Sequence, residues 1–325
     1  MIDTNLKKNL LIWSKIGLRA AFGLSLIELK KKYKNFFVVS ADVSTSAGLD
    51  RFKKIHSESY VETGITEQSM MGIASGIASE NLPVITTTFA PFQTSRCNEQ
   101  IKVNLGYMKS NVCMVGIASG VSLGMLGYTH CAIEDVGVLR SIPNIKIFSP
   151  ADCFELYKIL ENFLQNPSPT YLRLTGNRSS STLYNETLNF NIDKPTVFLD
   201  EGDITLITTG SILKNILLAV EDLKKKDLKC NILHYHNIKP FNKKILFDYI
   251  NKSKIIFSFE EHNIIGGLGS AISEAMSEIE NSPKLVKVGI PDTYDHSGTY
   301  DDLLKKFDLD ANGISKIVVE NFKNI

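Results

Sequence analysis

The chain has 325 residues, of which 43% are hydrophobic and 22% charged, a composition typical of a globular protein with room for two domains. Its 36 basic and 35 acidic residues give a net charge of +1, which offers no electrostatic basis for binding nucleic acid or an anionic membrane. The five cysteines show no paired spacing, no apolar run is long enough to span a membrane, and the N-terminus lacks a secretory pattern. We therefore expect a cytoplasmic protein with reduced thiols, and we assign no metal ligands.

Apolar strands alternate with helical patterns through the first half of the chain. Strands are predicted at Phe36–Ser40, Tyr60–Thr63, Pro83–Phe89, Asn111–Ile117, Ile145–Phe148 and Thr170–Leu174. Helices are predicted over residues 11–33, from Glu67, over Asn98–Gly106 and over Cys153–Leu164. This alternation predicts an open, mostly parallel sheet with helices on both faces.

A second α/β unit follows a break in this pattern. Residues 176–203 are rich in Gly, Asn, Ser, Pro and Asp, and we interpret them as a linker. Strands are then predicted at Ile204–Thr208, Asn231–His234, Ile255–Phe259 and Leu285–Val288, with helices at Ile212–Leu223 and Gly267–Ile279. The sequence therefore predicts two α/β domains, residues 1–185 and 195–325, each with an open, mostly parallel sheet.

Three segments contain candidate functional residues. Glu67 begins a helix rich in small side chains, where the helix dipole favours a carboxylate that could share a proton with a bound base; helix capping is the alternative. Phe89 and Phe92 follow a strand, where they could form a platform for a heteroaromatic ring or simply belong to the core. Gly120–His130 is a glycine-rich loop whose histidine could carry a proton or have no function.

Together these segments resemble the transketolase family, including the C-terminal half of 1-deoxy-xylulose-5-phosphate synthases. The motifs that carry the resemblance are Ser40–Ser46 (Ser-Ala-Asp-Leu-Thr-x-Ser in the family), Thr63–Gln68 (Gly-Ile-Arg/Ala-Glu-His/Gln), Phe89–Phe92 (Phe-x-x-Phe), Gly124–Asp135 (Gly-x-x-Gly-x-Thr-His-Gln-x-x-Glu-Asp) and Glu260–Ser270 (Glu-Glu-x-x-x-x-Gly-Gly-x-Gly-Ser). They occur in the family's order, so the resemblance runs from about Arg19 to the C-terminus.

In this family the matching residues bind thiamine diphosphate. The resemblance implies that Glu67 contacts the aminopyrimidine ring and is catalytic, and that Phe92 stacks on that ring. It also implies that Asp42, Ile65 and Phe89 lie beside the cofactor.

The resemblance also implies a sugar site. His130 would face the substrate and serve as a second catalytic group, while Ser46 and Arg19 would bind the sugar phosphate. A solvated helix residue is the alternative for Arg19.

The family's Mg²⁺ and diphosphate motif, Gly-Asp-Gly followed by Asn in an N-terminal domain, has no match here. Gly202-Asp203 precedes a strand and lacks an asparagine at the needed spacing. The resemblance therefore implies the C-terminal subunit of a split transketolase. Its N-terminal partner would hold most of the Mg²⁺ site, and the assembly would be a heterotetramer of two copies of each subunit.

Three positions depart from the family pattern. Leu126 replaces the aspartate that binds a donor hydroxyl, Ala118 replaces a histidine near the sugar, and Gly176 replaces a phosphate-binding arginine, with Arg173 and Arg178 nearby. Because a leucine side chain cannot form a hydrogen bond with a hydroxyl group, we expect an unusual sugar substrate, for example a deoxy or nucleotide-linked sugar. The alternatives are the β subunit of a 2-oxo-acid dehydrogenase's decarboxylating component and a non-catalytic scaffold subunit.

Overall fold

The computed structural model describes residues 4–176, 183–184 and 190–323. Its strands are β1 (Phe37–Ser40), β2 (Tyr60–Glu62), β3 (Val84–Phe89), β4 (Val112–Ile117), β5 (Lys146–Phe148), β6 (Thr170–Arg173), β7 (Thr196–Asp200), β8 (Ile204–Thr208), β9 (Cys230–His234), β10 (Asn237–Lys239), β11 (Ile255–Asn263) and β12 (Lys284–Ile290). Its α-helices are α1 (Thr4–Trp13), α2 (Leu18–Lys32), α3 (Asp50–Ile55), α4 (Glu67–Ser79), α5 (Ala90–Gln93), α6 (Asn98–Gln100), α7 (Asp135–Arg140), α8 (Cys153–Gln165), α9 (Leu213–Lys224), α10 (Lys243–Ile250), α11 (Leu268–Met276), α12 (Tyr300–Lys306) and α13 (Ala311–Phe322). A π-helical segment, Ile101–Tyr107, continues α6, and short 3₁₀ turns occur at Ser57–Ser59, Gly124–Leu126 and Gly210–Ile212.

The first sheet has seven strands in the order β10-β5-β6-β4-β3-β1-β2. Its neighbouring strands run parallel except β10 and β5, which are antiparallel. Strand β10 comes from the second half of the chain. The edge of the first sheet is therefore completed by a segment that follows β9 of the second sheet.

The second sheet has five strands in the order β12-β11-β8-β9-β7, and only the β7–β9 pair is antiparallel. The predicted α/β class with two mostly parallel sheets is confirmed. Strand β7 lies inside residues 176–203, so the linker interpretation was wrong for that part. The exact domain boundaries, 1–185 and 195–325, remain a prediction, since part of the connection lies outside the described residues.

The single helix predicted over residues 11–33 is two helices. They are separated at Gly17, whose φ of 85° lies in the left-handed region that glycine adopts without strain. The helices α10, α12 and α13 were not predicted. These elements cover the second sheet and extend the chain's helical content beyond what the apolar pattern indicated.

Strand β4 shows how the first sheet is buried on both faces. Cys113, Val115 and Ile117 pack in the cluster that contains α2 and α8, whereas Val112 and Met114 pack with residues of α4 on the other face. A strand covered on both sides has a continuous apolar sequence, which is why it was predicted correctly. Each fully buried large apolar side chain contributes roughly 1.5–3 kcal/mol relative to an exposed one.

The parallel strands bring the candidate segments to one edge of the first sheet. Asp42 follows β1, Phe89 ends β3, and the loop with His130 follows β4, and these three strands are neighbours with the same direction. Open α/β sheets bind ligands at this carboxyl edge. The order of the strands thus assembles the predicted site.

The five cysteines are buried and form no disulfide. Burial raises the pKa of Cys97 and of Cys230 to about 12, so both thiols are protonated at neutral pH. No helix in the described part of the chain is long and apolar enough to cross a membrane.

Candidate active site at the carboxyl edge of the first sheet

Glu67 is the buried carboxylate of this edge. It is the first residue of α4, and its side chain is only 5% exposed. One of its oxygens, Oε1, accepts a hydrogen bond of 2.7 Å from Nη1 of Arg96. The start of a helix and this guanidinium both place positive charge beside the carboxylate.

Arg96 joins Glu67 to Phe92. Its guanidinium carbon lies 4.0 Å from the centre of the Phe92 ring, within the range of a cation–π contact. The Arg96 side chain is 44% exposed, so it can leave this position without crossing the core. Arg96 was not predicted from the sequence; it lies in the turn that follows α5, where its amide donates a 3.3 Å hydrogen bond to the carbonyl oxygen of Pro91.

His130 lies against the two phenylalanines. Its ring centre is 5.4 Å from that of Phe92 and 6.5 Å from that of Phe89, while the phenylalanine rings meet edge to face at 6.3 Å. Nδ1 of His130 is 3.0 Å from the hydroxyl of Thr129. The structure therefore places Phe89, Phe92 and His130 against one another and joins Glu67 to Phe92 through Arg96.

The glycine-rich loop is held at its base and at its tip. Gly120 and Ala132 exchange backbone hydrogen bonds of 3.0 and 2.9 Å, which close the loop at its base. At its tip, a Cβ on Gly124 would lie 2.2 Å from a side-chain carbon of Leu303 and 2.7 Å from the carbonyl oxygen of Gly298. Only glycine fits there, because the second domain packs directly on the loop that holds His130 in place.

Asp42 and Ile65 lie at the same edge and are exposed. Asp42 has a φ of 55°, and its amide donates a 2.7 Å hydrogen bond to Glu62, which also accepts a 3.2 Å bond from the amide of Gly64. Glu62 therefore shapes both loops. Ile65 is 73% exposed, an unusual position for a large apolar side chain within a binding edge.

Arg19 and Ser46 are brought near one another through their backbones. A Cβ on Gly48, whose φ is 70°, would lie 2.9 Å from the carbonyl oxygen of Arg19, so the loop that contains Ser46 packs on the first turn of α2. The side chain of Ser46 is exposed and that of Arg19 is partly buried. Their predicted binding of a sugar phosphate remains a prediction.

The structure accounts differently for the three departures from the family pattern. Leu126 is 58% exposed at the edge, and Ala118 is buried with a φ of 53°. Arg173 cannot replace the missing phosphate-binding arginine, because it is 1% exposed and paired with Asp135. Arg178 lies outside the described residues.

The pairing of Arg173 with Asp135 belongs to a second, fully buried polar cluster between the two sheets. Nε of Arg173 donates to both carboxylate oxygens of Asp135 at 3.0 and 2.8 Å, and Nη2 donates to the carbonyl oxygen of Glu261 at 2.7 Å. The carboxylate of Glu261 accepts bonds from the amide of Val121 at 2.9 Å and the hydroxyl of Tyr300 at 2.8 Å. This cluster connects the base of the glycine-rich loop to the second domain.

Burial shifts the pKa values of three side chains at this junction. It raises the pKa values of Glu260 and Glu261 to about 7, and it lowers the pKa of His262 to about 4. Glu260 accepts hydrogen bonds from the amides of Leu268 (2.6 Å) and Gly269 (2.8 Å) at the start of α11. The Glu-Glu segment and the following glycines, which resemble the family's C-terminal domain in sequence, thus form a structural cap.

The chain has an α/β fold, and its candidate site lies at the carboxyl edge of the open first sheet. Residues 14–179 match the family described as transketolase, pyrimidine binding domain, and residues 197–314 match the transketolase C-terminal domain. The chain belongs to the transketolase family.

Individual proteins agree with the family models. A protein of Methanocaldococcus jannaschii named for a transketolase C-terminal section is 34% identical, over 94% of this chain and 96% of its own length. A protein of Phocaeicola vulgatus named as a subunit of an apulose-4-phosphate transketolase is 31% identical, over 95% of this chain and 98% of its own length. A solved structure described as a split gene transketolase, inactive beta4 tetramer, is 30% identical with a TM-score of 0.83, covering 94% of this chain and 98% of its own. None of these names is that of a 2-oxo-acid dehydrogenase.

Proposed function

We propose that this chain is the C-terminal subunit of a two-polypeptide, thiamine-diphosphate-dependent transketolase of the cytoplasm. The observation that supports it most directly is the Arg96 bridge between Glu67 and Phe92. A planar, nitrogen-bearing group lies on the phenylalanine and donates to the carboxylate. An aminopyrimidine ring is also planar and could stack on Phe92, while a protonated Glu67 would donate to one of its ring nitrogens, so the residues fit the cofactor.

Bound thiamine diphosphate supplies the electron sink through which a two-carbon ketol unit passes between sugars. Glu67 holds a proton against a ring nitrogen of the aminopyrimidine, and the low exposure of its carboxylate strengthens that contact. Phe92 positions the ring by stacking, and Phe89 and Asp42 close the pocket beside it. Arg96 turns outward to solvent when the ring takes its place.

His130 acts on the sugar. Among its contacts in the described residues, the hydrogen bond with Thr129 uses Nδ1, which leaves Nε2 for proton transfer at a substrate hydroxyl or carbonyl. The two phenylalanines against its ring exclude water from one side. Arg19 and Ser46, on adjoining backbone segments, bind the far end of the substrate.

A partner subunit covers this edge and completes the site. Ile65, Met125 and Leu126 are 73%, 69% and 58% exposed, and all three lie on loops at the carboxyl edge. Exposed apolar groups concentrated at a binding edge are typical of a surface that another protein covers. The similar split-gene structure is named as an inactive tetramer of one type of subunit, which supports a requirement for the other type. We propose a heterotetramer with two copies of each subunit.

The partner also holds Mg²⁺ and the diphosphate. In the described part of the chain, the one grouping of three metal-ligand side chains contains two histidines and lies at the domain junction. Mg²⁺ prefers an octahedral set of oxygens. This grouping therefore does not fit the ion.

The substrate is a sugar other than the common pentose phosphates. Leu126 and Ala118 offer no hydrogen bond where the family uses aspartate and histidine, and Arg173 is committed to Asp135. A relative of similar length is named for apulose-4-phosphate, which supports a non-standard sugar phosphate.

A binding titration tests the subunit assignment. The chain, its N-terminal partner and their mixture are each titrated with thiamine diphosphate and Mg²⁺, with a mixture containing Glu67→Gln as control. We expect tight binding by the wild-type mixture alone. Equal binding by the isolated chain contradicts the split site, and binding by neither protein nor the mixture supports the scaffold alternative.

A product assay tests the reaction. The assembled complex is given sugar phosphate donors, including xylulose 5-phosphate, and a set of 2-oxo acids. We expect ketol transfer without release of CO₂, and slow turnover of xylulose 5-phosphate. Release of CO₂ from a 2-oxo acid would instead identify the dehydrogenase alternative, and rapid use of xylulose 5-phosphate would refute the unusual substrate.

A further inference from the structure

A cluster of two histidines and a glutamate lies where the chain crosses from the second sheet to the first. Glu155 comes from α8, His234 ends β9, and His236 lies between β9 and β10; all three side chains are fully buried. Nε2 of His234 lies 2.9 Å from Oε2 of Glu155, and Nδ1 of His236 lies 3.5 Å from Oε1. One ligand atom from each residue lies within 4.8 Å of the other two.

The two imidazoles are poorly satisfied as hydrogen-bonding groups. In the part of the chain that the structure describes, Nδ1 of His234 has no hydrogen-bond partner, and the ring of His236 meets the backbone groups of Asn191 and Ile192 only in poor hydrogen-bond geometry. Every imidazole carries at least one N–H, and buried polar groups without partners are rare. The 3.5 Å from His236 to Glu155 is long for a hydrogen bond. It is close to the ~3.3 Å between two ligands of a tetrahedral ion with bonds of about 2.0–2.1 Å.

The carboxylate of Glu155 is oriented from outside the cluster. The amide of Ala151 donates to Oε2 at 2.6 Å, and the hydroxyl of Tyr184 donates to Oε1. Outer contacts of this kind fix the position of a metal ligand.

We propose that Glu155, His234 and His236 bind a Zn²⁺ ion that ties α8 to the crossover between β9 and β10. Two imidazoles and one carboxylate are ligands that Zn²⁺ takes readily, whereas Mg²⁺ prefers oxygens. The fourth position is filled by water. Because the ligands come from both domains and are buried, the ion stabilises the junction, and it takes no part in the sugar chemistry.

Metal uptake by the full chain tests the site. The chain is treated with a chelator and titrated with Zn²⁺ alone. We expect one ion per chain and, at about 100 times the dissociation constant, a melting temperature raised by roughly 5 °C. Co²⁺ in place of Zn²⁺ should give the visible absorption of a tetrahedral site. A wild-type chain that takes up neither ion at micromolar concentrations overturns the proposal.

Two variants locate the ion. His236→Phe keeps a ring beside Phe190, whose centre lies 4.7 Å from that of His236, and removes both ring nitrogens. Without metal it should melt no lower than the wild type, and its Zn²⁺ affinity should fall about 100-fold or more. His296→Ala, which removes an exposed histidine beside Asp295, should bind Zn²⁺ as the wild type does. Binding that survives His236→Phe, or is lost in His296→Ala, assigns the ion to the surface and overturns the proposal.

Discussion

Charged side chains serve different purposes at the carboxyl edge and at the domain junction. At the edge, the buried carboxylate of Glu67 is paired with Arg96, whose side chain is 44% exposed and can move into solvent. At the junction, Arg173 and Asp135 are both buried and joined by two hydrogen bonds, and Arg173 also binds backbone carbonyl oxygens. The first pair can exchange its partner, whereas the second cannot separate without leaving a buried charge.

This difference shows which part of the molecule is complete within one chain. The junction satisfies its charges internally and holds the glycine-rich loop rigid. The edge presents a carboxylate, aromatic rings and exposed apolar loops, which are the parts that a cofactor and a partner subunit would cover. A replaceable ion pair at the edge is thus compatible with ligand binding, and an irreplaceable one at the junction provides the rigid support that binding needs.

The largest effect is expected when the edge loses its carboxylate. Glu67→Gln keeps the shape of the side chain but cannot hold the transferable proton, so turnover of the assembled complex should fall by about 10²–10⁴-fold. Steady-state kinetics with the partner present measures this. The unfolding free energy should change little, because the group is not part of the packed junction. Near-normal activity would remove Glu67 from the mechanism.

The second largest effect is expected on stability, when the buried ion pair at the junction is broken. Asp135→Ala leaves the Arg173 guanidinium buried without its counterion and should lower the unfolding free energy by about 3–5 kcal/mol. Urea denaturation followed by circular dichroism measures the loss. Glu278→Ala, which breaks the exposed pair with Lys243, is the control and should cost no more than about 1 kcal/mol. Similar losses of unfolding free energy in the two variants would show that the buried pair contributes no more to stability than an exposed pair.

A smaller effect concerns pH. Burial raises the pKa of Glu261 to about 7 in the folded chain, above its value in the unfolded chain. The stability that its protonation contributes is present below the unfolded pKa and is lost as the pH rises through about 7. When the pH is raised from 5 to 8.5, the unfolding free energy of Glu261→Gln should therefore fall by about 1–3 kcal/mol less than that of the wild type.

Unfolding free energies at the two pH values, for the wild type and Glu261→Gln, test this expectation. His262, whose pKa is lowered to about 4, is common to both proteins, so its opposite dependence cancels in the comparison. Glu274→Gln changes an exposed carboxylate beside Arg140 and should follow the wild type. Parallel curves for wild type and Glu261→Gln would mean that Glu261 is ionised throughout.

The smallest effect is expected from removing the edge cation. If Arg96 occupies the position of the aminopyrimidine, Arg96→Ala should bind thiamine diphosphate about 3–10-fold more tightly in the assembled complex, because the half-exposed arginine no longer competes through its ion pair with Glu67 and its cation–π contact. Calorimetric titration measures the affinity. Arg51→Ala, on the exposed surface of α3, is the control. Weaker binding by Arg96→Ala would make Arg96 a ligand of the cofactor instead.

The sequence predicted what depends on local pattern. Strands such as β3 and β4 were found because buried parallel strands have continuous apolar sequences. Strand β10 was missed because three residues before a proline carry no such pattern, and only its pairing with β5 makes it a strand. Helices α12 and α13 were missed despite the N-caps Thr299 and Asp310, whose side chains accept amide hydrogen bonds of 3.2 and 3.0 Å; those caps were a usable signal.

The candidate site was likewise predicted only in part. The residues around Glu67, Phe92 and His130 came from motif resemblance, and the structure brings them together. Arg96 was missed because its partner lies 29 positions away in sequence. The histidine cluster was missed because His234 and Glu155 are 79 positions apart. Contacts over such separations depend on the strand order, which local patterns do not specify.

Strand β10 also determines when the first sheet can be completed during synthesis of the chain. Until the ribosome has released residues 237–239, strand β5 is an open edge with unpaired backbone groups, and open edges pair with other chains. At about 5–20 residues per second, this exposure lasts several seconds after β6 has emerged. A fragment that ends before β9 would keep the edge open permanently. Closing this edge therefore requires both domains in one polypeptide.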